Sequence, residues 1–209
     1  MMKIFLIRHS ESIDDIENCY GGIADFDLTE NGRNKVKEKR KETDTYNIEK
    51  IYTSPYKRAY QTAKILNENI NVELKVIDDI RELNSYGILS GVNRDIAKDI
   101  FSYVFQKEEY KNTGYYFGKT FLGGEDIEKF DNRVKRGIKD ILNDSQGLNT
   151  IAIVTHGGVH RSIFKNILNV NKKIEGLEDV SITTLEYNNG KFSVLETKGI
   201  TFGESISAF

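Results

Sequence analysis

Three short apolar runs in this chain end on residues that bind anions. In "KIFLIRHS" (3–10) four apolar residues lead into Arg8 and His9, and "TIAIVTHGG" (150–158) delivers His156 followed by Gly157 and Gly158. In "EKIYTSPYKR" (49–58) Arg58 follows four residues after the run. Two guanidinium groups and two imidazoles gathered in one place repel each other unless an anion sits among them. The planar fork of arginine matches phosphate oxygens, and charge-assisted hydrogen bonds are stronger than neutral ones. A phosphoryl group is therefore the natural guest. Arginines and a histidine around its equatorial oxygens would stabilise the charge of a phosphoryl-transfer transition state, where positioning and electrostatics do most of the catalysis.

Those residues converge only if the runs are strands of one sheet. Segments 3–9, 49–54 and 150–156 are short and rich in β-branched residues, as suits strands buried on both faces of a parallel sheet. Between them, Ile127, Phe130, Val134, Ile138, Ile141 and Leu142 keep one helical face apolar. Residues 56–69 also read as a helix, opening just after Pro55. The alternation predicts an α/β fold of three αβα layers around a mostly parallel central sheet. In such sheets ligands bind beyond the carboxyl ends of the strands, where Arg8, His9, His156 and Arg58 would emerge. The alternating segment 181–197 with its "NNG" predicts a hairpin, and 198–209 reads as a poorly anchored tail. Residues 84–123, rich in Tyr, Phe, Gly and Asn, read as an insertion or lid on a single domain spanning 1–209. Its tyrosines, among them Tyr86, Tyr103, Tyr110, Tyr115 and Tyr116, are expected to pack the lid rather than to wall a substrate.

Composition narrows the function classes. With 209 residues, 30% charged residues and a net charge of −2, the chain reads as a soluble globular protein, not a strongly basic nucleic-acid binder. The basic run 33–41 is interrupted by Glu38 and reads as a solvated helix face. No apolar run approaches the roughly 18 residues that span a bilayer, so a cytoplasmic location without membrane attachment is expected. Cys19 is the single cysteine and reads as a small loop residue, without partners for a disulfide or a metal site. No metal and no cofactor are expected, the partner being a small-molecule phosphomonoester. Nothing in the pattern specifies an oligomeric state.

Taken together, "LIRHSES", "YTSPYKRAYQTA" and "VTHGGVHR" resemble, in order and spacing, the signatures of the histidine phosphatase superfamily, the phosphoglycerate-mutase-like proteins, and of its phosphatase branch in particular. "GGIADFDLTENG" and "GGEDIEKFDNRV" resemble two further family segments. The resemblance implies a phosphoglycerate-mutase-like fold and a two-step mechanism through a phosphohistidine. His9 would be the nucleophile, with Arg8, Arg58 and His156 clamping the phosphoryl oxygens. Glu82, in "DDIRELNSYGILSG", would be the general acid and then the base that activates water. Ser10, Asp15, Gly22, Gly157 and Arg94 fall at candidate substrate contacts. The chain departs from the pattern at Ser10, where glycine is usual, and at Asp15, where asparagine is usual. The spacing from Glu82 to Gly87 is one residue longer than usual. Two other readings accompany the phosphatase: a cofactor-dependent phosphoglycerate-type mutase, suggested by "SYGILSGVNR" with Arg94 at the mutase lysine position, and a phospholigand-binding module without turnover.

Overall fold

The computed structural model describes residues 1–115 and 118–205. Six strands form one sheet in the order β3-β2-β4-β1-β5-β6. They are β1 (Met2–Arg8), β2 (Lys50–Thr53), β3 (Glu73–Val76), β4 (Thr150–Thr155), β5 (Lys172–Asn188) and β6 (Lys191–Ser205). β1, β2, β3 and β4 pair in parallel, whereas β5 runs antiparallel to both β1 and β6, so the sheet is mixed. The six strands and their flanking helices make the α/β fold expected for phosphoglycerate-mutase-like proteins.

The helices are α1 (Ile13–Ile16), α2 (Glu30–Thr43), α3 (Lys57–Asn67), α4 (Arg94–Ile100), α5 (Ser102–Phe105), α6 (Glu108–Lys111), α7 (Ile127–Asp144) and α8 (Gly157–Asn166). Because a strand alternates its side chains, β1 feeds two cores. Ile4 and Leu6 join Phe130, Val134, Ile138 and Ile141 of α7 and Val159 and Ile163 of α8. Phe5 and Ile7 join Val36 of α2 and Ala59, Ala63 and Leu66 of α3 on the other face. This two-sided burial is why the runs carry so few polar residues. Caps set where the helices begin: the Thr29 hydroxyl accepts the Gly32 N–H of α2 at 2.8 Å, and Asp126 accepts the Lys129 N–H of α7 at 2.9 Å. None of the described helices is long and apolar enough to cross a membrane.

Two expectations need correction, and one strand was not foreseen. The hairpin arm begins at Lys172, not at 181, and turns at Asn189 and Gly190, both with positive φ. Residues 198–205 are no tail. They continue β6, with Thr201 opposite Gly176 and Phe202 opposite Ile174, because Ile200 and Phe202 alternate and Phe202 packs on Phe164 at 5.7 Å between ring centroids. Residues 206–209 lie outside the described part, as does Tyr116. β3 escaped the sequence reading because its residues are exposed or half-buried and it carries two charges in four positions.

Candidate active site

β1 and β4 are parallel neighbours with Arg8 opposite Thr155, so their carboxyl ends finish together. The Thr155 carbonyl accepts the His9 N–H at 2.9 Å, and the His9 and His156 rings lie 5.0 Å apart between centroids, edge to face. β2 adjoins β4, and the Ser54 N–H donates to Val154, which carries the loop into α3 and places Arg58 beside both histidines.

His9 is buried, and its Nδ1 donates to the Ser10 carbonyl at 2.7 Å. Burial, followed by the Arg58 and Arg8 charges, holds its pKa well below the ordinary imidazole range. The ring is neutral, and with Nδ1 carrying the proton its Nε2 keeps a lone pair. His156 is depressed in the same way, by burial and then by Arg58. Its Nε2 lies 2.7 Å from the Ser54 hydroxyl, and its buried Nδ1 has no partner among the described residues.

Arg58 is itself buried, and its two terminal nitrogens donate to the carbonyls of Ala24 at 2.7 Å and Gly22 at 2.9 Å. Gly22 has φ +59°, where a glycine is favoured, and a Cβ there would crowd the Ser90 hydroxyl. Arg8 donates to the Leu177 carbonyl and lies 3.5 Å from Asp179. Asp179 also pairs with Lys35 at 2.7 Å, and Lys35 pairs with Glu11 at 3.0 Å. This chain reaches the site from an irregular stretch of β5, where the pairing register shifts between Leu177 and Ile182. There Val180, β-branched and buried, has φ +54°, a strained conformation for its type.

Glu82 is neither a partner of Arg81 nor a solvated turn residue. Its carboxylate accepts the Gly158 N–H at 3.1 Å to each oxygen and the Leu83 N–H at 2.8 Å, at the start of α8 and two residues from His156. Gly158 is the glycine this approach requires, since a Cβ there would collide with the Glu82 carboxylate. At Gly157 the nearest neighbour of a Cβ would be the Arg161 guanidinium. A cavity of about 280 Å³ opens in front of Glu82, lined also by Gly22, Tyr86, Tyr115, Gly158 and Arg161.

The other candidates fall as follows. Ser10 is fully buried and keeps a negative φ, so the backbone makes no demand for glycine there, and its hydroxyl has no partner among the described residues. Asp15 accepts the Ser12 N–H at 2.9 Å, closing the first turn of α1, and burial pushes its pKa up. Arg94 stacks over Tyr20 at 4.3 Å and Tyr86 at 5.7 Å. Tyr86 lines the cavity and Arg94 does not.

Sequence reasoning passed over Arg133. It is buried and donates to the carbonyls of Asp79, Arg81 and Glu82 at 2.8–3.0 Å while pairing with both oxygens of Glu125. It therefore fixes the loop that presents Glu82. The available signal was an arginine on the apolar stripe of α7, beside Phe130 and Val134.

Comparison with known proteins places the chain in a family. The family model of the histidine phosphatase superfamily (branch 1) matches residues 4–198. Phosphoserine phosphatase 1 of Hydrogenobacter thermophilus is 30% identical over 174 residues, covering 82% of this chain and 78% of that protein. A 2,3-bisphosphoglycerate-dependent phosphoglycerate mutase of Staphylococcus saprophyticus is 31% identical over 204 residues, covering 82% of this chain and 86% of that one. The solved structure of Bacillus stearothermophilus YhfR superposes with a TM-score of 0.79 at 23% identity, over 93% of this chain and 96% of that one. With its histidines, arginines and glutamate gathered at the strand ends and a family match spanning nearly its whole length, the chain belongs to the histidine phosphatase superfamily.

Proposed function

We propose that the chain hydrolyses a small phosphomonoester through a phosphohistidine on His9. The observation that carries this reading is the placement of His9: buried, with Nδ1 donating to the Ser10 carbonyl, which leaves Nε2 as the nucleophile. In the first step Nε2 attacks phosphorus, the bond to the ester oxygen breaks, and Glu82 gives a proton to the leaving alkoxide. In the second step Glu82 takes a proton from water, the water oxygen attacks phosphorus, and the bond to Nε2 breaks, releasing inorganic phosphate and restoring His9. Arg8, Arg58 and His156 stabilise the equatorial oxygens.

Residues 84–123 act as the lid of a single domain, and Ser10, Gly22 and Gly157 border the substrate. Asp15 acts on it only through α1, and Arg94 through Tyr86. The cavity of about 280 Å³ suits a small metabolite. Phosphoserine and 3-phosphoglycerate are the first candidates, because the chain's relatives are named for reactions of such compounds.

A panel of phosphomonoesters assayed for released phosphate, without added metal, tests this. Hydrolysis of at least one ester, lost in His9→Ala with the fold intact, is the expected result; full activity in that variant contradicts it. A mutase is the second reading, favoured by Arg94 stacked beside the cavity's Tyr86. Conversion of 3-phosphoglycerate to its 2-phospho isomer in the presence of bisphosphoglycerate, without phosphate release, would select it. Tight phosphate binding with no turnover of any ester would select the binding module.

A further inference from the structure

Ser54 stands outside the residues given a role so far. It is fully buried at the end of β2, held there by its N–H bond to Val154. Its hydroxyl meets two groups: it accepts the Tyr56 N–H at 3.3 Å and lies 2.7 Å from His156 Nε2. The hydroxyl has one proton to place, and among the described residues the only acceptor it meets is Nε2. The opposite arrangement, with Nε2–H donating to the hydroxyl, would leave a buried O–H without an acceptor, at a cost of about 1–3 kcal/mol. It would also leave a lone pair on the buried Nδ1, which would repel a phosphoryl oxygen.

We infer that Ser54 is a positioning residue that locks His156 in the Nδ1-protonated tautomer, so that Nδ1–H donates to the transferring phosphoryl group. The two histidines then share one tautomer for opposite tasks. In His9 the Ser10 carbonyl holds the Nδ1 proton and frees Nε2 to attack; in His156 the Ser54 hydroxyl occupies Nε2 and frees the Nδ1 proton to donate. The unpartnered Nδ1 in the buried site is the donor left for the substrate to satisfy. Tyr56 supports the arrangement twice, since its N–H fills one lone pair of the hydroxyl and its ring packs edge-on to His156 at 5.5 Å.

The catalytic part of this inference rests on the phosphatase reading, whereas the tautomer does not, and two measurements keep them apart. The first is the nitrogen-15 spectrum of the resting protein labelled at histidine, in which long-range proton couplings identify the protonated nitrogen. The chain has three histidines, so assignment by single substitution is direct. His156 is expected to be protonated at Nδ1 in the native protein and in Ser54→Thr, and mixed in Ser54→Ala. Protonation at Nε2 in the native protein overturns the inference, whatever the enzyme turns over and even if Ser54→Ala does not fold. The second is kinetic. Ser54→Ala should lower kcat and weaken vanadate inhibition by about tenfold to a hundredfold, with KM changed far less, and Ser54→Thr should restore both. Loss of activity in Ser54→Ala with the His156 tautomer unchanged would reduce Ser54 to a packing residue and likewise contradict the proposal.

Discussion

The strand ends and the 84–123 segment build their parts of the molecule in opposite ways. At the strand ends His9, Arg58, Ser54 and His156 are all buried, and each is tied to backbone or to another site residue by bonds that cross the sequence. Among the described residues of the 84–123 segment, short α-helices of seven, four and four residues accompany a small separate core of Leu89, Ala97 and Phe121, and Ile96, Ile100 and Tyr103 are left exposed. A cradle fixed by a sheet tolerates little change, because each charge in it has been removed from water and depends on its neighbours. The satellite core is apolar and meets the loop before Gly22, where Tyr20 exchanges backbone hydrogen bonds with Gly91 and Val92, so its exposed positions can vary with less effect on the cradle. The buried polar groups are thus held by the sheet and its loops, and the lid proposed for 84–123 would set which substrate reaches them.

Substitutions on the two sides test that division. After the loss of activity in His9→Ala, the largest effect is expected at Glu82. Glu82→Gln removes the proton donor and should lower kcat by about 10²–10⁴-fold on an alkyl phosphate. The loss should be much smaller on an aryl phosphate, whose leaving group needs no proton; an equal loss on both would deny Glu82 the acid role. Next is Arg133→Met, which leaves Glu125 unpaired and frees the three carbonyls under Glu82. A destabilisation of about 3–5 kcal/mol in urea unfolding is expected, with kcat reduced in whatever fraction folds. Adding Glu125→Leu should recover part of the stability without recovering kcat.

The three histidines give a smaller, graded effect. His9, His156 and His160 are all buried with lowered pKa, to about 3 for His160, where burial is the main cause. As pH falls below the ordinary histidine value of about 6.5, the unfolded chain binds protons that the folded chain refuses. Stability is therefore complete above that value and lost towards acid, at up to about 1.4 kcal/mol per pH unit for each histidine. Unfolding free energy followed from neutral to acid pH checks this, and His160→Leu should make the acid limb shallower. The smallest effect is expected across the divide. Tyr103, 73% exposed, should change stability by less than about 0.5 kcal/mol on conversion to alanine. A loss of kcat/KM on a single substrate in that variant would assign the tyrosine to specificity.

What could be read from the sequence follows the same division. β1, β2, β4, α3 and α7 were legible because two-sided burial writes continuous apolar runs and burial of one helix face writes a 3.6-residue stripe. Arg8, His9 and His156 stood out because they interrupt that pattern at strand ends, and Arg58 because it opens the helix that follows such a run. β3 was not, since an exposed edge strand of four residues carries no such pattern, nor was the end of β6, where Lys198 and Gly199 broke the alternation. Arg133 and Ser54 were hidden for another reason. Their partners are backbone groups and a ring nitrogen far away in the chain, and no local spacing records that.

The central claim is that His9 takes the phosphoryl group, and the most direct measurement is to catch it there. The protein would be mixed with a hydrolysed phosphomonoester, quenched in alkali, where phosphohistidine survives, and digested for mass spectrometry. A phosphoryl adduct on His9, formed within the time of one turnover and absent from His9→Ala, is the predicted result. Steady hydrolysis with no adduct at His9, or with the adduct on another residue, would contradict the account.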